Sequence, residues 1–232
     1  MRDAEKALES LYRPPSVVNW VRHNLKRLDE TVKRLRIFAL RPPRHSLAAV
    51  YEICSELAYG DLTLEKAMEQ VDSISQPIAH MAAKEIVPVF FDYVCKNHVK
   101  GIRDLKGFNL PYPIGRGPDG KTLTIPLRPT FICESNGKLV PYFIIGWASI
   151  SLNEFQKKLI SSILCRAILT HQYFMGSDAQ IVFLPRIKTT KSRYVREWNA
   201  TLYGELSEAE LLEQFERYGR ALSLVARELR GE

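Results

Sequence analysis

The dipeptide Asn136-Gly137, set between apolar runs at residues 121–134 and 138–149, is the feature that most restricts how this chain can fold. Asn and Gly tolerate the left-handed backbone that a two-residue hairpin turn needs at both central positions. The two runs are therefore predicted to pair as antiparallel strands. A third run at 179–187 (AQIVFLPRI) is almost continuously apolar, which predicts a strand buried on both faces. Helical patterns surround these strands. Ser46 is placed to cap a helix carrying Leu47, Val50, Tyr51, Cys54 and Leu57, and a short helix follows Thr63. A longer helix is predicted over 76–97, kinked at Pro88, another from Ser151 carrying Phe155, Leu159, Ile163 and Ala167, and a last one over 207–230. The Pro/Gly-rich stretch 111–120 reads as turns, and the segment after 187 as a basic loop. This order predicts an α/β fold, or its α+β variant, with a small mixed sheet flanked by helices.

Charge is segregated along the chain. The 33 Lys and Arg exceed the 26 Asp and Glu, for a formal net charge of +7. Residues 11–45 account for the whole surplus, with Arg13, Arg22, Lys26, Arg27, Lys33, Arg34, Arg36, Arg41 and Arg44 against Asp29 and Glu30. Within this stretch Val18, Val21, Leu25, Leu28, Val32, Leu35 and Ala39 recur at alternating spacings of three and four, a heptad seam on a helix whose other faces are basic. The segment is predicted to be a basic helical arm over residues 1–45, ended by Pro42-Pro43. Residues 46–232 then form an α/β domain, helical over 46–107 and sheet-bearing over 108–232. Packing on the rest of its own chain is the first expectation for the seam; a homodimer or a docked protein partner are the alternatives. A basic face of this kind suits phosphate or another polyanion.

Other function classes find no support. The four cysteines, Cys54, Cys95, Cys133 and Cys165, form no CxxC pair and sit among apolar residues, as expected for reduced core positions of a cytoplasmic protein. The N-terminal residues lack the apolar run of a signal peptide, and no stretch approaches the roughly 20 apolar residues of a membrane span. Gly115-Arg116-Gly117-Pro118-Asp119-Gly120 lacks the ending and the following helix of a phosphate loop. The five histidines, His23, His45, His80, His98 and His171, keep no metal-ligand spacing. HExxH and GxSxG are absent.

The hairpin itself carries the best lead. Ile125-Pro126-Leu127-Arg128-Pro129-Thr130-Phe131-Ile132-Cys133 precedes the turn, and Tyr142-Phe143-Ile144-Ile145-Gly146-Trp147-Ala148-Ser149 follows it. Downstream come Gln156, in the next helix, and Phe183-Leu184-Pro185; upstream lies Ile78-Ala79-His80-Met81-Ala82-Ala83. Over about residues 75–225 this resembles the PD-(D/E)xK nuclease superfamily, in particular its RecB-like branch. The resemblance implies a restriction-endonuclease-like fold. In that family two carboxylates hold Mg²⁺ on the scissile phosphate and a lysine orients the attacking water. Here the metal-binding Asp falls on Thr130, the second acid on Gly146 and the lysine on Ala148, and Gln156 is followed four residues later by Ile160 instead of Tyr. Loss of all three catalytic groups on a retained scaffold implies a catalytically inactive relative that needs no cofactor.

A metal-dependent nuclease with relocated carboxylates is the competing reading, using Mg²⁺ held by Glu134, on the face of residues 130 and 132, and Glu85, five residues after His80. A third reading is a protein-interaction module that self-associates through the seam. The favoured expectation is a nucleic-acid-binding or adaptor protein. Its phosphate contacts are assigned to Arg22, Lys26, Arg27, Lys33, Arg34 and Arg36 on the arm and to Lys188, Lys191, Arg193 and Arg196 on the loop. Tyr194 and Trp198, interleaved with the loop bases, are placed to stack on unpaired bases.

Overall fold

In the computed structural model Asn136 and Gly137 both adopt left-handed φ, +52° and +71°, and close the turn between the paired residues Ser135 and Lys138. The structure describes residues 2–12, 15–42, 46–117, 120–190 and 192–232. The hairpin strands are β3 (Phe131–Ser135) and β4 (Lys138–Ile145). β5 (Gln180–Phe183) runs parallel to β4, and β6 (Arg196–Asn199) pairs antiparallel with β5, giving one mixed sheet of order β3-β4-β5-β6. A separate antiparallel ribbon holds β1 (Leu110–Arg116) and β2 (Thr122–Leu127).

Strand alternation divides the core into two halves. Ile132, Phe143, Ile145, Ile181, Phe183 and Trp198 point to one face of the sheet. There they meet α1 (Arg2–Tyr12), α2 (Val17–His23), α3 (Leu28–Leu40), α7 (Glu154–Ile163) and α8 (Glu208–Arg230). Phe131, Cys133, Ile144, Val182 and Leu184 point to the other, covered by α4 (Ala48–Tyr59), α5 (Leu64–Asp72) and α6 (Pro77–Lys96). The period-two pattern of each strand thus supplies both apolar layers. The expected mixed sheet flanked by helices is what forms. No helix among the described residues is long and apolar enough to cross a membrane.

Local signals place several helices. Ser207 caps α8 in a reciprocal box with Glu210, Asn153 does the same for α7 with Gln156, and Thr63 accepts the Lys66 amide at the start of α5. α6 begins on Pro77 and runs through Pro88. The helix from α7 loosens into a π turn at Leu164–Ile168.

Four expectations need correction. The heptad seam does not lie on one helix: α2 ends at His23 and α3 starts at Leu28. Asn24 leaves the helix with ψ 125°. Its amide donates to the Trp20 carbonyl at 2.6 Å and accepts from Gln214 at 2.9 Å. Thr31 then receives the Leu25 amide at 3.1 Å, and Asp29 and Glu30 open α3, where acids favour a helix N-terminus. Val18, Val21, Leu35 and Ala39 are buried, with Leu28 and Val32 packed at the margin and Leu25 half-buried, in the same core as α7 and α8. The seam is therefore packed mainly within its own chain, the first of the expectations for it.

The stretch read as turns forms β1; Pro111 and Pro113 are tolerated because a two-strand ribbon leaves one edge unpaired. The basic loop contains β6, a four-residue edge strand held by the inward Trp198. Of the cysteines, all free, Cys54 and Cys133 are buried, but Cys165 is half-buried and Cys95 exposed. Arg13, Arg44, His45 and the second proline of the expected helix stop, Pro43, lie outside the described residues.

Candidate functional site

Strands β4 and β5 end side by side at Ile145 and Phe183, with α7 as the crossover between them. Adjacent parallel strands open a crevice beyond their carboxyl ends, where ligands of α/β proteins characteristically bind. A cleft of about 470 Å³ lies there. Arg22, Trp147, Arg186 and Arg193 line it together with Gly146 and Ala148, and no Asp or Glu among the described residues does. Ile78 and Met81 from α6 form an exposed apolar rim.

Glu85 stands behind this wall, already engaged. Arg186 binds it with two hydrogen bonds, Nε to Oε2 at 2.9 Å and Nη2 to Oε1 at 2.6 Å. Arg193 adds a third from Nε to Oε2 at 2.9 Å. Two guanidiniums on one carboxylate make a rigid, net-positive cluster. Arg193 is not the phosphate contact that its loop position suggested. Its side chain is 3% exposed, and its Nη1 is shared among the carbonyls of Leu184, Gly146 and Trp147 at 2.7, 3.1 and 3.1 Å. It ties the segment after β5 to the end of β4, its buried donors satisfied by backbone carbonyls.

The relocated metal pair does not assemble. Glu134 is exposed on β3 opposite Leu139, next to the hairpin turn. Glu85 lies at the other end of β4, bonded to the arginine that holds Gly146. Seven residues of strand separate these places, about 23 Å. No group of three or more His, Cys, Asp or Glu able to hold a metal occurs among the described residues. His80 instead contacts Asp72 at 3.3 Å on the surface, beside Lys84.

Two of the three positions to which the resemblance assigned catalytic groups meet at Tyr51. The Gly146 amide donates to the Tyr51 hydroxyl at 3.1 Å, and a small crevice joins Tyr51 to Thr130 and Trp147. Burial pushes the Tyr51 phenol up, so it remains neutral. Thr130 accepts the Ile144 amide on Oγ1 at 3.0 Å, and its carbonyl takes the Ser55 hydroxyl at 2.8 Å. Its side chain thus extends the ladder into β4. A Cβ built on Gly146 lies 2.7 Å from Ile86 Cδ1 and 3.2 Å from Leu47 Cδ1, so position 146 has no ready space for a carboxylate. Ala148 is exposed in the cleft.

Arg22 reaches the cleft from the end of α2 and lies over the Trp147 ring at 4.7 Å. Gln156 positions it: Nε2 donates to the carbonyls of Val21, Arg22 and Asn24 at 3.0, 3.1 and 3.0 Å, closing the open end of α2. Gln156 is therefore a structural clamp. Partial desolvation, and then repulsion from Arg34, lower the Arg22 pKa. Neighbouring His23 is lowered to about 4 by burial first and then by Arg22 and Arg34, so it is uncharged at neutral pH.

The remaining bases are dispersed. Lys26, Lys33 and Arg34 are exposed, Arg27 pairs with Asp29, and Arg36 pairs with Glu228 at 2.7 Å. Lys188 and Arg196 are exposed beyond the cleft, and Lys191 lies outside the described residues. Trp198 is no stacking platform: it is 4% exposed, packed on Phe183 at 4.4 Å and edge-on to Tyr203 at 5.1 Å. Tyr194 alone of that pair is exposed. Sequence reasoning missed Tyr51 and the aromatic contact of Trp147. The one available signal was Trp147 placed directly after the apolar run of β4.

No family model matches this sequence, and no curated protein matches it. A crystal structure of SSO0001 aligns over 81% of this chain and 82% of that one, at 16% identity and a TM-score of 0.32. A superposition that loose carries no argument about fold or function.

Proposed function

We propose that this protein binds nucleic acid through the arginine-lined cleft and does not cut it. One observation carries the reading. At the strand ends, where the resembled nucleases place metal-holding carboxylates, this cleft presents Arg22 together with Arg186, which Glu85 holds in place, and no Asp or Glu among its described lining residues, with Gly146 hemmed in by Ile86 and Leu47. Guanidiniums beside an indole suit a phosphate backbone with an unpaired base stacked nearby. Exposed Arg34 on α3, near enough to Arg22 to repel it, extends the positive surface from Arg22. Such a protein holds a strand as an adaptor in a nucleic-acid-processing complex. Four free thiols, two of them buried, support a reducing, cytoplasmic setting.

The test is fluorescence anisotropy with single-stranded and duplex oligonucleotides over a salt series. Engagement of three to five phosphates gives a log–log slope of about −2 to −4.5. Arg22→Ala and Arg34→Ala are each expected to weaken binding about threefold to tenfold and to flatten that slope by about 0.7 to 1. A flat salt response, or affinity unchanged in Arg22→Ala, would overturn the reading.

A further inference from the structure

A second cavity, larger than the cleft and sharing no lining residue with it, runs between α8 and the β1–β2 ribbon. It has a volume of about 990 Å³. Phe215 and Tyr112 form its apolar floor and wall, and Leu212 and Leu224 stand exposed by 55% and 46% along α8. From Leu212 to Arg227 the groove follows the helix for about 22 Å at 1.5 Å per residue. That length takes three to four turns of a second helix.

Two observations specify the occupant. The first is charge. Arg116, Arg220 and Arg227 ring the groove against Glu216 alone, and no ion pair of these four is found among the described residues. Three guanidiniums around an apolar floor complement a ligand with an apolar stripe and acidic flanks. The second is Gly219. A glycine inside a helix costs about 1 kcal/mol relative to alanine. Packing does not require it here, since a Cβ would meet only the Arg116 carbonyl oxygen, at an ordinary 3.4 Å. What the missing side chain does is leave the middle of the groove open.

The geometry points to this groove as a docking site for an acidic amphipathic helix of a partner protein, its leucine-type stripe seated between α8 and β1 and its carboxylates on Arg116, Arg220 and Arg227. The seam, for which docking was the alternative to packing on its own chain, is spent inside the core, whereas Leu212 and Leu224 on this face stay exposed among the described residues. Helix-in-groove recognition uses apolar anchors at spacings of three and four, which here would meet Leu212, Phe215 and Leu224 along α8. The opposite charge on the rim sets orientation and rejects basic helices.

Two labelled helical peptides of about 14 residues test this against the full-length chain, sharing one leucine stripe but flanked by Glu in one and Lys in the other. The Glu peptide is expected to bind at least about tenfold more tightly than the Lys peptide. Gly219→Phe, which fills the groove, is expected to weaken it about tenfold or more. Leu224→Glu, at an exposed position, should do the same if Gly219→Phe disturbs folding. Equal affinity for the two peptides, or binding unaffected by both variants, would overturn the assignment. So would a concentration-dependent dimer that Gly219→Phe dissociates while neither peptide binds, which would make a second copy the occupant. Displacement of the Glu peptide by a single-stranded oligonucleotide would also overturn it, by assigning these arginines to phosphate.

Discussion

Adding one methyl group at position 146 probes the site at its tightest point. Gly146 does not occupy the left-handed region, so Gly146→Ala carries no backbone strain. By reducing the freedom of the unfolded chain it should gain about 0.4–1 kcal/mol. The folded chain opposes this. The new Cβ falls 2.7 Å from Cδ1 of Ile86, whose side chain is fully buried, and 3.2 Å from Cδ1 of Leu47. Forcing a methyl into such packing costs about 1–3 kcal/mol, so the net expectation is a loss of about 1–2 kcal/mol. Ile86→Val removes the opposing atom and alone costs about 0.5–1.5 kcal/mol. The double variant should be more stable than the sum of the singles by about 1 kcal/mol, because the clash and its relief share one contact. Gly146→Asp adds a poorly solvated carboxylate and should lose several kcal/mol without gaining Mg²⁺-dependent cleavage. Equilibrium urea unfolding read by tryptophan fluorescence measures each term. A stabilised Gly146→Ala, or strict additivity with Ile86→Val, would refute the steric reasoning.

Three further outcomes follow from the same contacts. Glu85→Gln leaves two guanidiniums without a counter-charge, one of them on a side chain 3% exposed, and should cost about 2–4 kcal/mol. Amide exchange should then rise across 186–193, and unchanged protection there would contradict the strut. His23 is held near pKa 4 in the fold against about 6.5 unfolded, so the unfolded chain binds the extra proton between those values. Stability should therefore fall as pH drops from about 6.5 towards 4, by up to about 3 kcal/mol, and His23→Phe should flatten the urea midpoint over that range. Leu35→Ala, at a side chain 2% exposed, should cost about 2–4 kcal/mol in urea unfolding. Dissociation of an oligomer in sedimentation, with stability unchanged, would instead return the seam to a partner.

The parts of the fold that were legible are those written in neighbouring residues. The Asn136-Gly137 turn was read correctly, and the helices expected over 76–97 and 207–230 form as α6 and α8, because their signals act within a few positions. The misreadings arose where distant packing decides. Asn24 reads as an ordinary helix-surface residue until Gln214 and Gln156 close on the corner it forms. β6 offers one buried side chain, Trp198, too little for a periodic signal. β1 hides behind two prolines that an edge permits. In the site, the sequence revealed which positions lack acids but not why Arg193 is interior. Its partner Glu85 is 108 positions away in the chain. Charge in a sequence defaults to solvent, and only the fold pairs it.

The measurement that bears most directly on the proposed function combines binding and cleavage in one titration. Wild-type protein and Arg22→Ala are mixed with a labelled single-stranded oligonucleotide across a salt series, with and without Mg²⁺ or Mn²⁺, and both anisotropy and strand integrity are followed. The expected result is binding that weakens steeply with salt, is reduced in Arg22→Ala, and leaves the strand intact whether or not the divalent ion is present. Cleavage that depends on the metal and vanishes in Glu134→Ala would contradict it, as would binding indifferent to both salt and Arg22.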